Sequence, residues 1–479
     1  MRLLLNSNAV NNIFIQSCFI LFTASVSFTA IGLQSHTRNE IATGAQPSGQ
    51  PTYLSLESAI AQAQNNDDWL QKSRLMESRF ESLSKGASAL PDPTISIGLL
   101  NFPTNGFAFD QEPMTQLKLS ASQIFPRGDT LALKEQRHKK MASEQPYLRE
   151  NRRQLIALQT SILWLQAFQA SANYKLVSDT QPLFDKLGDI VAAGYASSAG
   201  NAKQRDIIRA ELELVKLNDR LISLGTQKQI ATAELSQFLY NAYASATSNY
   251  FMQSDIPSIQ FPERMPELTP NQNQRLQRIA GTSPYEFNQL VSQHPLIVAS
   301  EHRVRTSAVD IDIAKQDYKP QYGVTASYAM RDDTPQGQSR ADFFSVGVSV
   351  SLPLFSSSAQ DAQVSAAKLH TEAIRTEKLL LIKELMANLQ SAYAEYYGLR
   401  ERAQVYQQQI LPKVQQQAQA TLNAYTNDTG DFAEVVRAKI DELDTQITLL
   451  NINVKQRVAL YKMDYYIAST AQTEDAEHE

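Results

Sequence analysis

The chain of 479 residues carries few groups able to do bond chemistry. Its six histidines, His36, His138, His294, His302, His370 and His478, never stand three or four apart, the spacing that would turn two imidazoles toward one metal on a helix. His294 and His302 are two helical turns apart, too far to share an ion. The nine methionines add no cluster to them. No phosphate loop, zinc signature or nucleophile elbow is present, so these residues read as packing or surface groups and an enzyme has nothing to rest on. No cofactor and no resident metal are expected. Trp69 and Trp164 fall in helical segments and read as core or groove contacts.

The elements around these residues decide what the chain is for. A composition of 43% hydrophobic and 19% charged residues is that of a folded protein with a large core. The net charge of -5 comes from interspersed residues, without the basic stripe that draws a nucleic-acid backbone. At the amino terminus, Arg2 followed by an apolar stretch from Ile13 to Phe28 predicts a cleaved secretory signal ending near residue 33. That stretch falls short of the roughly twenty residues of a membrane-spanning helix. Cys18, the only cysteine, lies inside it. Ile15-Gln16-Ser17 before it lack the pattern of a lipid-attachment site, so the mature chain should hold neither disulfide nor thiolate metal site. Residues 34–52, with Gly44, Pro47, Gly49 and Pro51, read as a flexible lead-in.

Beyond the lead-in the sequence repeats itself. Pro182, Tyr195 and Gly200 recur as Pro412, Tyr425 and Gly430, and Pro91 and Pro126 recur as Pro320 and Pro353. Each copy predicts a helix, two strands and a very long helical hairpin. The first spans 53–240, with a helix from about 54 to 89, strands at about 93–100 and 115–125 and a hairpin from about 130 to 239. The second spans 284–470, with a helix from about 284 to 318, strands at about 321–330 and 343–354 and a hairpin from about 359 to 467. Residues 241–283, rich in proline and polar groups, form an irregular connector, and 471–479 a polar tail. Leu155, Leu158, Ile162 and Leu165, and later Leu443, Ile447, Leu450 and Val454, keep one apolar face at steps of three and four. Such narrow stripes on helices of about fifty residues predict coiled-coil rods roughly 75 Å long.

The strands alternate apolar and small polar residues, as a strand between lipid and water does. Ile95, Ile97 and Leu99 face one way and Thr94, Ser96 and Gly98 the other; Val346, Val348 and Val350 oppose Ser345, Gly347 and Ser349. Soluble hairpins packed on helices would also alternate. The secretory signal and the small polar residues favour a barrel lining a channel, with 101–113 and 331–340 as external turns. Four strands leave open edges that lipid does not tolerate, whereas three chains would close a barrel of twelve.

This arrangement resembles the TolC family of outer-membrane efflux proteins over about residues 52–470. Tyr195 and Gly200 followed by Ile207-Ile208-Arg209-Ala210, and Tyr425 and Gly430 followed by Val435-Val436-Arg437-Ala438, look like that family's twice-repeated hairpin tip. Leu90-Pro91-Asp92-Pro93, Asn101-Phe102-Pro103 and Phe125-Pro126-Arg127-Gly128 look like its heavy-metal branch, the CzcC- and CusC-like channels. The resemblance implies a mainly α chain with a β-barrel part: a homotrimer whose twelve-stranded outer-membrane barrel continues into a periplasmic coiled-coil tunnel. It also implies docking to an inner-membrane RND pump through a periplasmic adaptor. The competing reading is a periplasmic coiled-coil adaptor that never enters a membrane; two hairpins with two strand pairs suit the channel better.

By the same resemblance, Asp206 and Glu434 lie near the periplasmic constriction, where three copies would form acidic rings favouring cations. Ordinary solvated carboxylates paired with Arg209 or Arg437 are the plainer alternative. Those arginines stand where the family often has a second acid, so an intersubunit salt bridge could hold the tip shut instead. Tyr195, Gly200, Tyr425 and Gly430 would present the tip turns to the adaptor, although glycine there can serve turn geometry alone.

Overall fold

The computed structural model describes residues 53–196, 204–240, 259–268, 273, 274, 279, 286–355, 357–427 and 430–469, with backbone alone at 194 and 206. The expected signal, Cys18, the lead-in, Gly200, most of the connector and the tail lie outside the described residues.

Where one helix is expected between 54 and 89 there are two, α1 (Leu56–Asn65) and α2 (Asp68–Ala87). Ser55 caps the first, accepting from Ser58 N at 3.1 Å, and Asp67 caps the second, accepting from Trp69 N at 3.3 Å. The break is fixed from outside, since Asn66 Nδ2 donates to Leu239 O at 2.7 Å and Arg152 grips both carboxylate oxygens of Asp67 at 2.8 and 3.1 Å. Two competing caps in the middle of an amphipathic stretch therefore end one helix and begin the next.

Then come β1 (Thr94–Leu100) and β2 (Gln116–Phe125), followed by the long hairpin of α3 (Thr130–Ala196) and α4 (Gln204–Leu239). The second copy follows suit: α5 (Phe287–Ser292) and α6 (Pro295–Lys315), β3 (Gln321–Met330) and β4 (Phe343–Ser351), and a hairpin of α7 (Ser357–Val405), α8 (Leu411–Thr426) and α9 (Phe432–Tyr466). At 1.5 Å per residue α3 alone is about 100 Å long. It runs unbroken through Pro146 and Pro182. Its counterpart does not: a π-turn, Tyr406–Ile410, separates α7 from α8 just before Pro412. Proline removes a donor and crowds the carbonyl four residues earlier, and the wider turn relieves that clash. Leu411 N donates to Tyr406 O, five residues back, as the wide turn requires.

The two strand pairs join into one antiparallel sheet in the order β1-β2-β3-β4. Beneath it the copies are clamped together. Arg127 donates to Asp317 O at 2.8 Å and Lys319 O at 3.0 Å, and Lys319 pairs with Asp129 at 2.8 Å. Gly128 sits between them at φ +46, a conformation L side chains rarely adopt, and an added Cβ would also displace the Lys319 side chain, 2.2 Å away at Cδ.

Among the described residues the helices pack along four apolar clusters, the three larger of which follow. Nearest the tips, Val177, Phe184, Leu187 and Val191 of α3 meet Leu217 and Leu224 of α4 and Val435, Val436 and Leu443 of α9. Spacings of three, four and seven place these side chains on single faces, as coiled-coil packing requires. Midway, Trp164 is fully buried, stacks on Phe168 with centroids 5.5 Å apart and donates to Leu54 O at 3.0 Å. A third cluster gathers Phe287, Val291, Leu389, Leu460 and Met463. Each such side chain contributes on the order of 1.5–3 kcal/mol by leaving water.

Candidate functional site

Two regions of the fold bear on the expected channel: the sheet and the hairpin tips. In the sheet, register turns four separate alternations into two surfaces. Ile97, Leu119, Tyr328 and Phe344 lie opposite one another across all four strands, as do Ile95, Ala121, Ala326 and Val346. One row over, on the other face, Ser96, Ser120, Ser327 and Ser345 form a ladder, with the first two hydroxyls 2.7 Å apart. The apolar face is bare: Ile97 is 72% exposed, Phe344 71% and Val348 70%. On the polar face, by contrast, Gly323, Ser327 and Ala329 are buried by their own neighbours. A Cβ on Gly323 would come within 2.5 Å of Ser349 Oγ. On β3, then, side chains crowd together on the polar side and stand clear on the apolar side, whereas β4 is exposed on both.

The strands span seven to ten residues, about 23–33 Å at 3.3 Å per residue, enough for a tilted crossing of an apolar band about 25 Å tall. Among the described residues no helix is long and apolar enough to cross a membrane. The two turns beyond the strands are tied together: Arg340 donates to Asp110 O and Arg331 to Pro113 O, both at 3.3 Å. Asn101, at φ +55, donates to Met114 O and accepts from Thr115 through its own carbonyl.

At the other end, the tip motif residues split into inward and outward sets. Ala210 and Ala438 are buried, their small size allowing close helix approach, and Val435 and Val436 enter the tip core. In the first copy Ile207 packs inward while Ile208 is exposed. Tyr425 lies edge-on to Phe432 with centroids 5.7 Å apart, whereas Tyr195 is exposed. The two tip tyrosines are therefore not equivalent. A Cβ on Gly430 would lie 2.9 Å from Tyr425 N and 3.0 Å from Ala424 C, so the second turn closes only with glycine. Gly200 falls outside the described residues, and of Asp206 only the backbone, in the first turn of α4, is described.

Glu434 occupies the first turn of α9, beneath the cap formed by Asp431, which accepts from Ala433 N at 3.1 Å. An acid there favours the helix dipole as well as any cation passing by. Glu434, Arg437 and Arg209 are all exposed, and none forms an ion pair among the described residues. A pairing the sequence did not reveal is Arg220 with Asp444 at 2.6 Å, which bridges α4 and α9 and so ties one hairpin to the other. Nothing in the sequence relates these two residues, because the contact depends on how the hairpins lie side by side. Among the described residues there is no group of three or more histidine, cysteine or carboxylate side chains placed to hold a metal.

The model of the family described as outer membrane efflux protein matches residues 287–464, the second copy of the repeat. None of the curated proteins matches the chain by sequence. Among solved structures, the outer membrane channel CmeC of Campylobacter jejuni is similar at TM-score 0.68 and 11% identity, covering 91% of this chain and 94% of its own. CusC, whose structures concern folding and transmembrane channel formation, is similar at 0.67 and 15%, covering 89% and 96%. The outer membrane protein VceC of Vibrio cholerae is similar at 0.67 and 13%, covering 86% and 96%. The second copy thus carries the sequence pattern of the outer membrane efflux proteins, and the whole chain shares the fold of the solved outer-membrane channels.

Proposed function

We propose that three copies of the chain close a twelve-stranded barrel in the outer membrane, continued by a periplasmic helical tunnel, and that this duct passes metal ions or small toxic compounds outward. The observation that carries this reading is the four-stranded sheet: one face apolar and bare, the other lined with serine, threonine and glycine, and β1 and β4 left as open edges. Open edges have no place in lipid, so closure by further copies follows. A second apolar stripe supports it, as Ile208, Leu212, Val215, Ile222 and Ile230 line the side of α4 turned away from the core of its own chain.

In this reading the energy for export comes from an inner-membrane RND pump, reached through a periplasmic adaptor that holds the tips around Tyr195, Gly200, Tyr425 and Gly430. Asp206 and Glu434 ring the periplasmic constriction, and Arg209 and Arg437 close it by pairing with acids of neighbouring copies; among the described residues neither Glu434 nor Arg437 forms an ion pair that would compete. The likeness of Leu90-Pro91-Asp92-Pro93 and Phe125-Pro126-Arg127-Gly128 to the heavy-metal branch favours metal ions as cargo.

The test is planar-bilayer conductance of the detergent-purified protein, with its mass determined on the same sample. A trimer with small cation-selective currents that grow in Asp206→Ala and Glu434→Ala is the expected result. A soluble monomer without conductance would sink the barrel and leave the adaptor reading in its place.

A further inference from the structure

The four strands contain one charged side chain, Lys118 of β2. Alternation places it on the polar face, one row outward from the serine ladder, opposite Gly98 on β1 and Ala329 on β3. Neither neighbour offers a polar side chain, and a Cβ on Gly98 would meet nothing within 4 Å. Lys118 forms no ion pair among the described residues.

A second cation stands one alternation step farther out. Arg331 follows Met330 at the end of β3, and its guanidinium lies over the ring of Phe343, 4.1 Å from the centroid. Phe343 is the last member of the row that holds Gly98, Lys118 and Ala329. Arg331 is fixed there by backbone carbonyls, its guanidinium donating to Ala341 O at 2.9 Å and to Pro113 O at 3.3 Å, with the Asp342 carboxylate near enough to feel its charge. Asp342, next to Phe343, accepts from Tyr328 OH on the apolar side and from Arg331 N. The remaining acids of this end, Asp110, Glu112, Asp332 and Asp333, belong to the turns beyond the strands.

We propose that Lys118, repeated three times around the closed barrel and backed by Arg331, forms a cationic ring inside the outer mouth that binds small multivalent anions and sets the charge preference of the exit. The proposal rests on the trimeric barrel argued above. Rings of fixed charge in a narrow pore with low-dielectric walls concentrate ions of the opposite sign. The duct would then be acidic at its tips and basic at its mouth.

The experiment uses the full-length trimer in a planar bilayer with inorganic pyrophosphate as probe, added to either side. Pyrophosphate on the barrel side should reduce the wild-type current, and Lys118→Ala should raise the blocking concentration roughly tenfold or more. Lys118→Arg should retain the block, and Lys118→Ala should move the reversal potential in a salt gradient toward greater cation preference. Should Lys118→Ala fail to assemble, Lys118→Gln removes the charge while keeping the length of the stem. A conducting trimer whose block and reversal potential are the same with and without the charge would overturn the ring. Absence of a conducting wild-type trimer would instead overturn the channel reading beneath it.

Discussion

His294 begins α6 by an uncommon device, its Nδ1 accepting from Leu296 N at 3.2 Å ahead of Pro295. The ring is fully buried, edge-on to Tyr465 with centroids 5.0 Å apart, and burial pushes its pKa down to about 4. The folded protein therefore holds this imidazole neutral across a range in which the unfolded chain, with an ordinary value near 6.5, takes up a proton. Stability is at its full level above pH 6.5 and falls as pH drops toward 4, by about 3 kcal/mol from this group. His294→Asn keeps a capping acceptor without the titration. Its thermal midpoint should fall less between pH 7 and 4.5 than that of the wild type; an equal fall would clear His294 of the effect. The sequence predicts a single helix across about 284–318 and reads His294 as a packing or surface group, because a histidine cap has no signature of its own. Gly430 was legible through its repeat, but the closeness of Ala424 and Tyr425 that excludes a Cβ was not. Gly430→Ala should loosen the second tip by about 1–3 kcal/mol. Hydrogen exchange of the amides at 424–434 would report it.

Among the elements, the long helices were legible because their apolar stripes persist, and the strands because their alternation is strict. The breaks were harder. The α1–α2 break is set by Leu239 and Arg152, far away in sequence. The π-turn before Pro412 has no counterpart at Pro182, although both prolines are equally visible in the sequence. What differs is the packing: α8 buries only Ala418, whereas α3 near Pro182 buries Phe184 and Leu187, so surrounding contacts hold one helix regular and not the other. Between α3 and α9, Asn451 Oδ1 accepts from Gln169 at 2.6 Å and from Asn173 at 3.0 Å. A polar cluster in a coiled-coil seam fixes register, since any slip strands its donors. Asn451→Leu should lower stability by about 1–3 kcal/mol, and replacing Gln169 and Asn173 by Leu as well should recover most of the loss. Denaturant midpoints of the single and triple variants decide this, and a triple variant worse than the single would refute it.

For the whole molecule, the two faces of the sheet predict opposite responses to a charge. Val348 and Ser349 are neighbours in β4, one on the bare apolar face and the other on the polar face. Val348→Arg should cost about 2–4 kcal/mol in a barrel facing lipid, whereas Ser349→Arg should leave the assembled trimer stable and alter its conductance. Trimer yield from outer membranes compares the two, and equal yields would mean that the apolar face never meets lipid. The duplicated plan could be read from the spacing of prolines, tyrosines and glycines, but the joining of the two strand pairs into one sheet could not, since β2 and β3 are separated by nearly two hundred residues of hairpin and connector.

The π-turn also makes the two arms mechanically unlike. In the first hairpin, α3 runs as a single spar from the sheet clamp at Arg127 to the tip, so a sideways load on its end must bend the full length. The outgoing limb of the second hairpin is two rods meeting at a joint, and the distal rod is held to its neighbours by little buried surface. A load on the periplasmic end should therefore be shared unequally, with the first arm bending as a whole and the second bending first at residues 406–410.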